Sequence, residues 1–220
     1  MTLELLPEIR ARVLADSRDR QAWLDVRSGK SDGLVKIGGS DAAGYAKRES
    51  ADKYLRSKLA SRFEGNAYTQ HGNQREARML RVHGFEQNTL LIHSPDDGDP
   101  YYRRHVATPD GIRRGADGKI ELAQAKTTSK PFANRFGEFH MPPAYERQML
   151  WELYVCDAFR SAFIFELHEN FRPLQMEPEI YWLYRDDEKI ADLIEIANTV
   201  LAGCDAARAF RTELREGTDR

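Results

Sequence analysis

The sequence predicts an α/β protein: helices first, a small mixed sheet in the middle, then a helix packed across it. Three observations carry this. Apolar residues recur at helical spacing through much of the first third of the chain. Short runs rich in β-branched and aromatic residues, bounded by turn signals, gather between Phe85 and Lys126 and again in SAFIFELH and EIYWLYR. Between these two groups lies a long helical stretch, MPPAYERQMLWELYVCDAF.

The elements follow in order. Leu3 to Val26 carries apolar residues at Leu6, Ile9, Val13, Leu14 and Trp23 and reads as one helix or two. A glycine- and serine-rich segment, RSGKSDGLVKIGGSDAAGYAK, comes next, with Ser40-Asp41 placed to cap a short helix from Ala42. A second helix is expected over Ala51 to Phe63. Gly72-Asn73 precedes a third, QREARMLRVH, which stops at Gly84. Strands are expected over Phe85 to His93, Tyr102 to Ala107 and Lys119 to Lys126, with SPDDGDP as a turn between the first two. Pro143 suits the first turn of the following helix. DDEKIADLIEIANTVLAG closes as an amphipathic helix. The whole reads as a single domain over residues 1–220: a mainly helical part (1–65), a core (66–185) and C-terminal helices (186–220).

With 41% hydrophobic and 31% charged residues, the composition is that of a soluble globular protein. No apolar run approaches the roughly 20 residues of a membrane helix. The N-terminus has no signal-peptide core, so a cytoplasmic location is expected. Cys156 and Cys204 form no CxxC pair, which argues against a structural zinc site or disulfide framework. The first 136 residues carry 24 Lys/Arg against 18 Asp/Glu, and the remainder 9 against 17. A basic first part suits contact with a polyanion, and uneven surface charge is the plainer alternative.

The chemistry concentrates in ATPDGIRRGADGKIELAQAKTT, residues 107–128. Asp110 stands at a proline–glycine corner before a tight turn, and the chain turns again at Asp117-Gly118. On a strand, Gln124 and Lys126 share one face. A hairpin brings the Asp110 carboxylate to the same edge. A carboxylate, an amide oxygen and an ammonium can serve a divalent cation and a phosphate, since magnesium takes hard oxygen ligands and keeps several waters. An ordinary hairpin explains the same residues. Glu76, in the first turn of the third helix, either reaches the same cation or simply favours the helix dipole. Gly38-Gly39 let backbone amides approach a phosphate, and Ser40 adds a hydroxyl. Arg27 suits a bidentate phosphate clamp. Trp23 reads as core more readily than as a nucleic-acid contact. Arg103, Arg104, Arg113 and Arg114 flank the Asp110 corner, where they either guide a polyanion or solvate the hairpin. The six histidines show no metal spacing, although His71 and His140 lie where the site could be.

The ordered motifs WLDVR, KIGGSDAA, GNQREA, ATPDGI, AQAKTT and PPAYERQMLWELYV resemble the YqaJ-type viral recombinase family, placed with lambda-type exonucleases in the PD-(D/E)xK nuclease group. The resemblance spans about residues 23–157. It implies a restriction-endonuclease-like core and a magnesium-dependent exonuclease, with manganese as a substitute. Such an enzyme digests linear double-stranded DNA 5′→3′ and leaves 3′ single-stranded tails for phage-type recombination. By the same resemblance Glu76 and Asp110 are metal-binding carboxylates, Gln124 stands where the family most often has glutamate, the Ala125 carbonyl is a further ligand, and Lys126 is the catalytic lysine. Trp23, Arg27, Gly39 and Ser40 match the part that holds the 5′-phosphate at a DNA end. Tyr145 and Gln148 match a supporting Y-x-x-Q element. The implied partners are DNA ends, a single-strand annealing protein and further copies of the chain in a trimeric ring. The setting is a bacterial cytoplasm reached from a phage or prophage.

Two departures bear on this. SGKSDGLVK lengthens the gap between Arg27 and Ile37, which leaves Lys30 or Lys36 as substitutes for Arg27. Gln124 is neutral, so the site has two carboxylates instead of three. Glu121 faces away from Gln124 and Lys126 and is no replacement. Two other readings stay open: a DNA-end-binding protein whose catalytic site has decayed, and a RecB- or CRISPR-like nuclease. Two cysteines speak against the four-cysteine iron–sulfur cluster often found in the latter.

Overall fold

The computed structural model describes residues 6–60 and 67–218, with the backbone alone for 67–74 and 215–218. The elements are α1 (Pro7–Arg10), β1 (Val13–Asp16), α2 (Arg20–Ser28), α3 (Gly39–Ala42), α4 (Ala51–Ala60), α5 (Ala67–Val82), β2 (Glu86–Gln87), β3 (Leu90–His93), β4 (Val106–Ala107), β5 (Gly111–Arg114), β6 (Ile120–Thr128), α6 (Pro143–Cys156), β7 (Arg160–Glu169), β8 (Arg172–Pro173), β9 (Glu179–Tyr184) and α7 (Asp187–Thr218). The main sheet runs β2-β5-β6-β7, and β7 then pairs with β9 along its first part and with β8 at its end. The β6–β7 pair is parallel and joined through α6, as a parallel pair requires, while the other pairs are antiparallel. The expected mixed sheet flanked by helices is present. Beside it lies a second sheet, β1-β3-β4, that the sequence did not announce.

Side-chain alternation divides the main sheet into two faces. Ala123, Ala125, Ala162 and Ile164 meet Met79 and Leu80 of α5. The small alanines let α5 lie close. Gly111 serves the same approach: a Cβ there would stand 2.8 Å from Leu80 Cδ2. Gly111 therefore opens strand β5 as a packing glycine and forms no tight turn. The opposite face is covered by α6, whose residues Met149–Cys156 are all buried. Beyond α6 lies α7, joined to it in the largest core cluster.

Several expected boundaries shift. The first segment is broken by strand β1, which pairs with β3. The short helix starts at Gly39, three residues before Ala42. Asp41 sits inside it and accepts a hydrogen bond from the Gly38 amide at 2.9 Å. Of the expected helix Ala51 to Phe63, residues 61–63 lie outside the described residues. Helix α5 begins at Ala67, so Gly72-Asn73 lie within it and Glu76 is in its third turn. Its end is as expected, with Gly84 at φ +73°. The expected strand Phe85 to His93 is two short strands in different sheets, split at Asn88. Tyr102 to Arg104 is a 3-10 turn, not strand. A single helix, α7, spans the C-terminal region. It continues through Gly203, where Leu55 of α4 fills the space a side chain would take.

Candidate active site

Asp110 lies just ahead of β5, past the last β5–β6 pair at Gly111–Ala123. Its Oδ2 accepts from the Ala125 amide at 2.8 Å and from Gln124 Nε2 at 2.6 Å. The corner is pinned from behind by buried Asn88. Its Nδ2 donates to the Pro109 carbonyl at 2.9 Å, and its amide donates to the Asp110 carbonyl at 2.8 Å. A strand residue projects its N–H and C=O to the same side. The Ala125 carbonyl therefore opens on the Asp110 side, beyond the end of β5.

Glu76 reaches this edge from α5. Its Oε1 accepts from Gln87 Nε2 of β2 at 2.8 Å. Burial, and then the nearby Asp110 charge, push its carboxyl up to about 7. Burial also raises Asp110, against the pull of Lys126, the Ala125 amide and Gln124. Besides its apolar packing, α5 is tied to the sheet by Glu166 of β7, fully buried and held by Arg75 through two bonds of 2.7 and 2.8 Å and by Arg78 at 2.9 Å. Two mutually repelling carboxylates in a confined place are poised to receive a cation. With the Ala125 carbonyl and the Gln124 amide, the donors are all oxygen, which suits Mg²⁺ or Mn²⁺. Among the described residues no group of three or more His, Cys, Asp or Glu is arranged to hold a metal, as the neutral residue at 124 entails.

Gln124, only 2% exposed, is the hinge of a chain of hydrogen bonds. Its Nε2 faces Asp110, and its Oε1 accepts from Gln148 Nε2 at 3.1 Å. To offer its oxygen beside Asp110 the amide must turn over. Gln148 also donates to Glu152 Oε1 at 2.9 Å. Lys126 shares the Gln124 face, with its ammonium 5.6 Å from the centre of the Tyr145 ring. Among the described residues it makes no ion pair within 4 Å. The Y-x-x-Q pair thus borders the site from α6: Tyr145 beside Lys126, Gln148 beside Gln124.

Next to this edge is a cleft of about 100 Å³ lined by Arg27, Gly39, Ser40, Thr108, Gln148 and Glu152, among others. Arg27 keeps its place despite the lengthened loop. Its guanidinium stacks 4.9 Å from the Trp23 ring centre and donates to Ser40 Oγ. Trp23 is half-buried and acts as a platform for Arg27 rather than as part of the lining. Lys36 is buried against Asp32 at 2.7 Å, Lys30 is exposed, and the cleft lining includes Arg27 but neither lysine. The Gly38 amide is occupied by Asp41, which leaves less free backbone than the glycine pair suggested. Gly39 instead permits close contact with α6: a Cβ there would stand 3.0 Å from Glu152 Oε1.

Thr108 and Glu152 escaped the sequence reading. Each has a buried oxygen, Thr108 Oγ1 and Glu152 Oε2, with no hydrogen-bond partner among the described residues. For Glu152 a signal existed, four residues after Gln148 on the same helical face. The arginines near the corner resolve mostly as structural. Arg113 and Arg160 clamp buried Glu121 on the side away from Gln124. Arg104 pairs with Asp205 at 2.6 Å and Arg114 with Glu8 at 2.9 Å, while Arg103 is exposed. His140 is exposed in the loop before α6, and the His71 side chain lies outside the described residues. Cys156 and Cys204 are separate buried thiols. A larger cleft of about 750 Å³ lies between α6 and α7; it shares no lining residue with the smaller cleft, and its lining pairs Arg48 with Asp192 and Lys189 with Glu146.

The fold is shared with solved exonucleases. The alkaline exonuclease LHK-Exo from Laribacter hongkongensis is 19% identical, with a TM-score of 0.62 over 90% of this chain and 99% of that one. Its complex with dAMP gives the same values. A phage-related exonuclease from Haemophilus somnus 129PT is 15% identical, with a TM-score of 0.56 over 81% of this chain and 97% of that one. No protein-family model matches the sequence, and neither does any curated protein. No helix among the described residues is long and apolar enough to cross a membrane.

Proposed function

We propose that this chain is a magnesium-dependent exonuclease that degrades linear double-stranded DNA from 5′ ends and leaves 3′ single-stranded tails. The observation that carries the reading is the convergence of Asp110, Glu76, Gln124, Ala125 and Lys126 on one sheet edge, beside a cleft containing Arg27. The fold shared with two exonucleases supports it. Asp110 and Glu76, with the Ala125 carbonyl and a turned Gln124 amide, would hold the cation. When bound, it acidifies a water and neutralises charge on the scissile phosphate. Lys126 places a positive charge on the same face to orient the water and offset developing charge. Arg27, Ser40 and Thr108 receive the terminal 5′-phosphate, and Gln148 touches both this cleft and Gln124. A strand-annealing partner, a trimeric ring, a phage or prophage origin and action in a bacterial cytoplasm belong to the same proposal.

Duplexes labelled at either the 5′ or the 3′ end, with and without a 5′-phosphate, test it. Magnesium should release the 5′ label first, and faster from phosphorylated ends. Loss of the 3′ label first would reverse the polarity. Binding without turnover in magnesium or manganese would favour the decayed-site alternative, which the neutral Gln124 motivates.

A further inference from the structure

The cleft beside the catalytic edge contains a carboxyl group, an unexpected lining for an anion site. Glu152 is only 2% exposed. Its Oε1 accepts from Gln148, while Oε2 has no hydrogen-bond partner among the described residues. An ionised carboxylate here would repel a phosphate. A carboxylic acid would instead carry an unsatisfied O–H donor in the cleft wall, shielded from water until a ligand settles against it. A buried donor without a partner is costly, so a ligand that accepts from it gains by relieving that cost.

We propose that Glu152 binds the terminal phosphate as a neutral acid, donating from Oε2–H to a phosphate oxygen, so that the grip on 5′-phosphorylated ends weakens as pH rises. The inference rests on reading the cleft as the 5′-phosphate subsite. The surroundings favour the neutral form: burial, and then the Asp110 charge, raise this carboxyl to about 8, against Gln148 and Lys126. The other charged or titratable groups near it are few. Arg27 of α2 lines the same cleft. Asp41 of α3 is turned to Lys58 and the Gly38 amide. Cys156, one turn along α6, has its own thiol pushed up to about 12 by burial. Arg27 would supply the positive charge and Glu152 a donor that adds no positive charge.

The test compares dissociation constants of 5′-phosphoryl and 5′-hydroxyl duplexes by fluorescence anisotropy, in EDTA, from pH 6.5 to 9.5. The ratio cancels effects common to both ends. For the wild-type protein the preference should hold to about pH 8 and then fall toward about tenfold per pH unit. Glu152→Gln keeps a donor that cannot ionise, so its preference should stay level across the range. A wild-type preference that stays level to pH 9.5, or one that falls in parallel in Glu152→Gln, overturns the role of Glu152 and leaves the phosphate cleft standing. Equal affinity for the two ends at every pH overturns both. Should Glu152→Gln not fold, calorimetry of the wild-type protein at pH 8.5 in two buffers of different ionisation enthalpy decides. Greater proton uptake with the phosphorylated end supports the proposal, and equal uptake contradicts it.

Discussion

At the scale of single residues, Gln124 decides how the site works. A carboxylate in its place would stand against Asp110, whereas the amide converts that repulsion into a hydrogen bond of 2.6 Å. Gln124→Glu should remain active and bind free magnesium more tightly, because a third negative ligand joins the set. Gln124→Ala loses the link from Asp110 to Gln148, and its turnover should fall roughly a hundredfold, or about 3 kcal/mol. Metal titration and turnover on linear duplex read both, and a wild-type rate in Gln124→Ala would remove Gln124 from the site. Glu76 and Glu152 lie above the usual carboxylate range, at about 7 and about 8. A carboxyl raised in the folded protein binds its proton more tightly there than in the unfolded chain. Its stabilising effect is full below the unfolded value and is lost as pH climbs to the folded one. Stability in EDTA should therefore decline between about pH 4.5 and 8, at roughly 1.4 kcal/mol per pH unit for each group within its window. Affinity for free magnesium should run the other way, rising as pH climbs toward about 7 and Glu76 of the metal-free protein gives up its proton. Urea unfolding and metal titration at stepped pH check the two signs.

At the scale of elements, the proposed catalytic edge depends on how α5 is seated. Arg75 and Arg78 meet Glu166 at a point where its carboxylate has no access to water. Arg75→Ala removes a two-point contact from this buried charge and should cost on the order of 3 kcal/mol. Because Glu76 rides on the same helix, metal affinity should fall as well. Unchanged metal affinity in a folded but destabilised Arg75→Ala protein would show that α5 is positioned by its apolar contacts alone. The same elements show where the sequence was readable. Strands β6, β7 and β9 and helix α6 were legible because length and side-chain pattern agreed, whereas β5 was implied only by the hairpin expected at the Asp110 corner and no expected strand covered it. Strand β1 was not: its four residues are all half-buried, with no clear alternation to separate it from the neighbouring helical pattern. Asn88 divides one expected strand because its amide and side chain are committed to the Asp110 corner, a long-range demand that local pattern does not reveal. At Gly203, packing against Leu55 overrides the helix-stop signal. In the candidate site, strand alternation placed Gln124 and Lys126 on one face and the hairpin placed Asp110 beside them. Thr108 became apparent only once the cleft formed around it.

At the scale of the whole molecule, one sheet edge is served from several directions: α5 brings Glu76, the β5–β6 hairpin brings Asp110 and Lys126, α6 brings Gln148, and α2 with α3 builds the adjoining cleft. The proposed exonuclease activity needs a free DNA end, so closed circular duplex should resist digestion while the linear form is consumed. Equal loss of both on a gel would point to internal cleavage. The central claim is that hydrolysis occurs at this edge and needs its carboxylates. The most direct measurement is magnesium-dependent digestion of linear, 5′-phosphorylated duplex by purified wild-type and Asp110→Ala proteins, each confirmed to be folded by its thermal transition. The account predicts processing of 5′ ends by the wild-type protein and no detectable turnover by Asp110→Ala. Full magnesium-dependent activity in Asp110→Ala would contradict it.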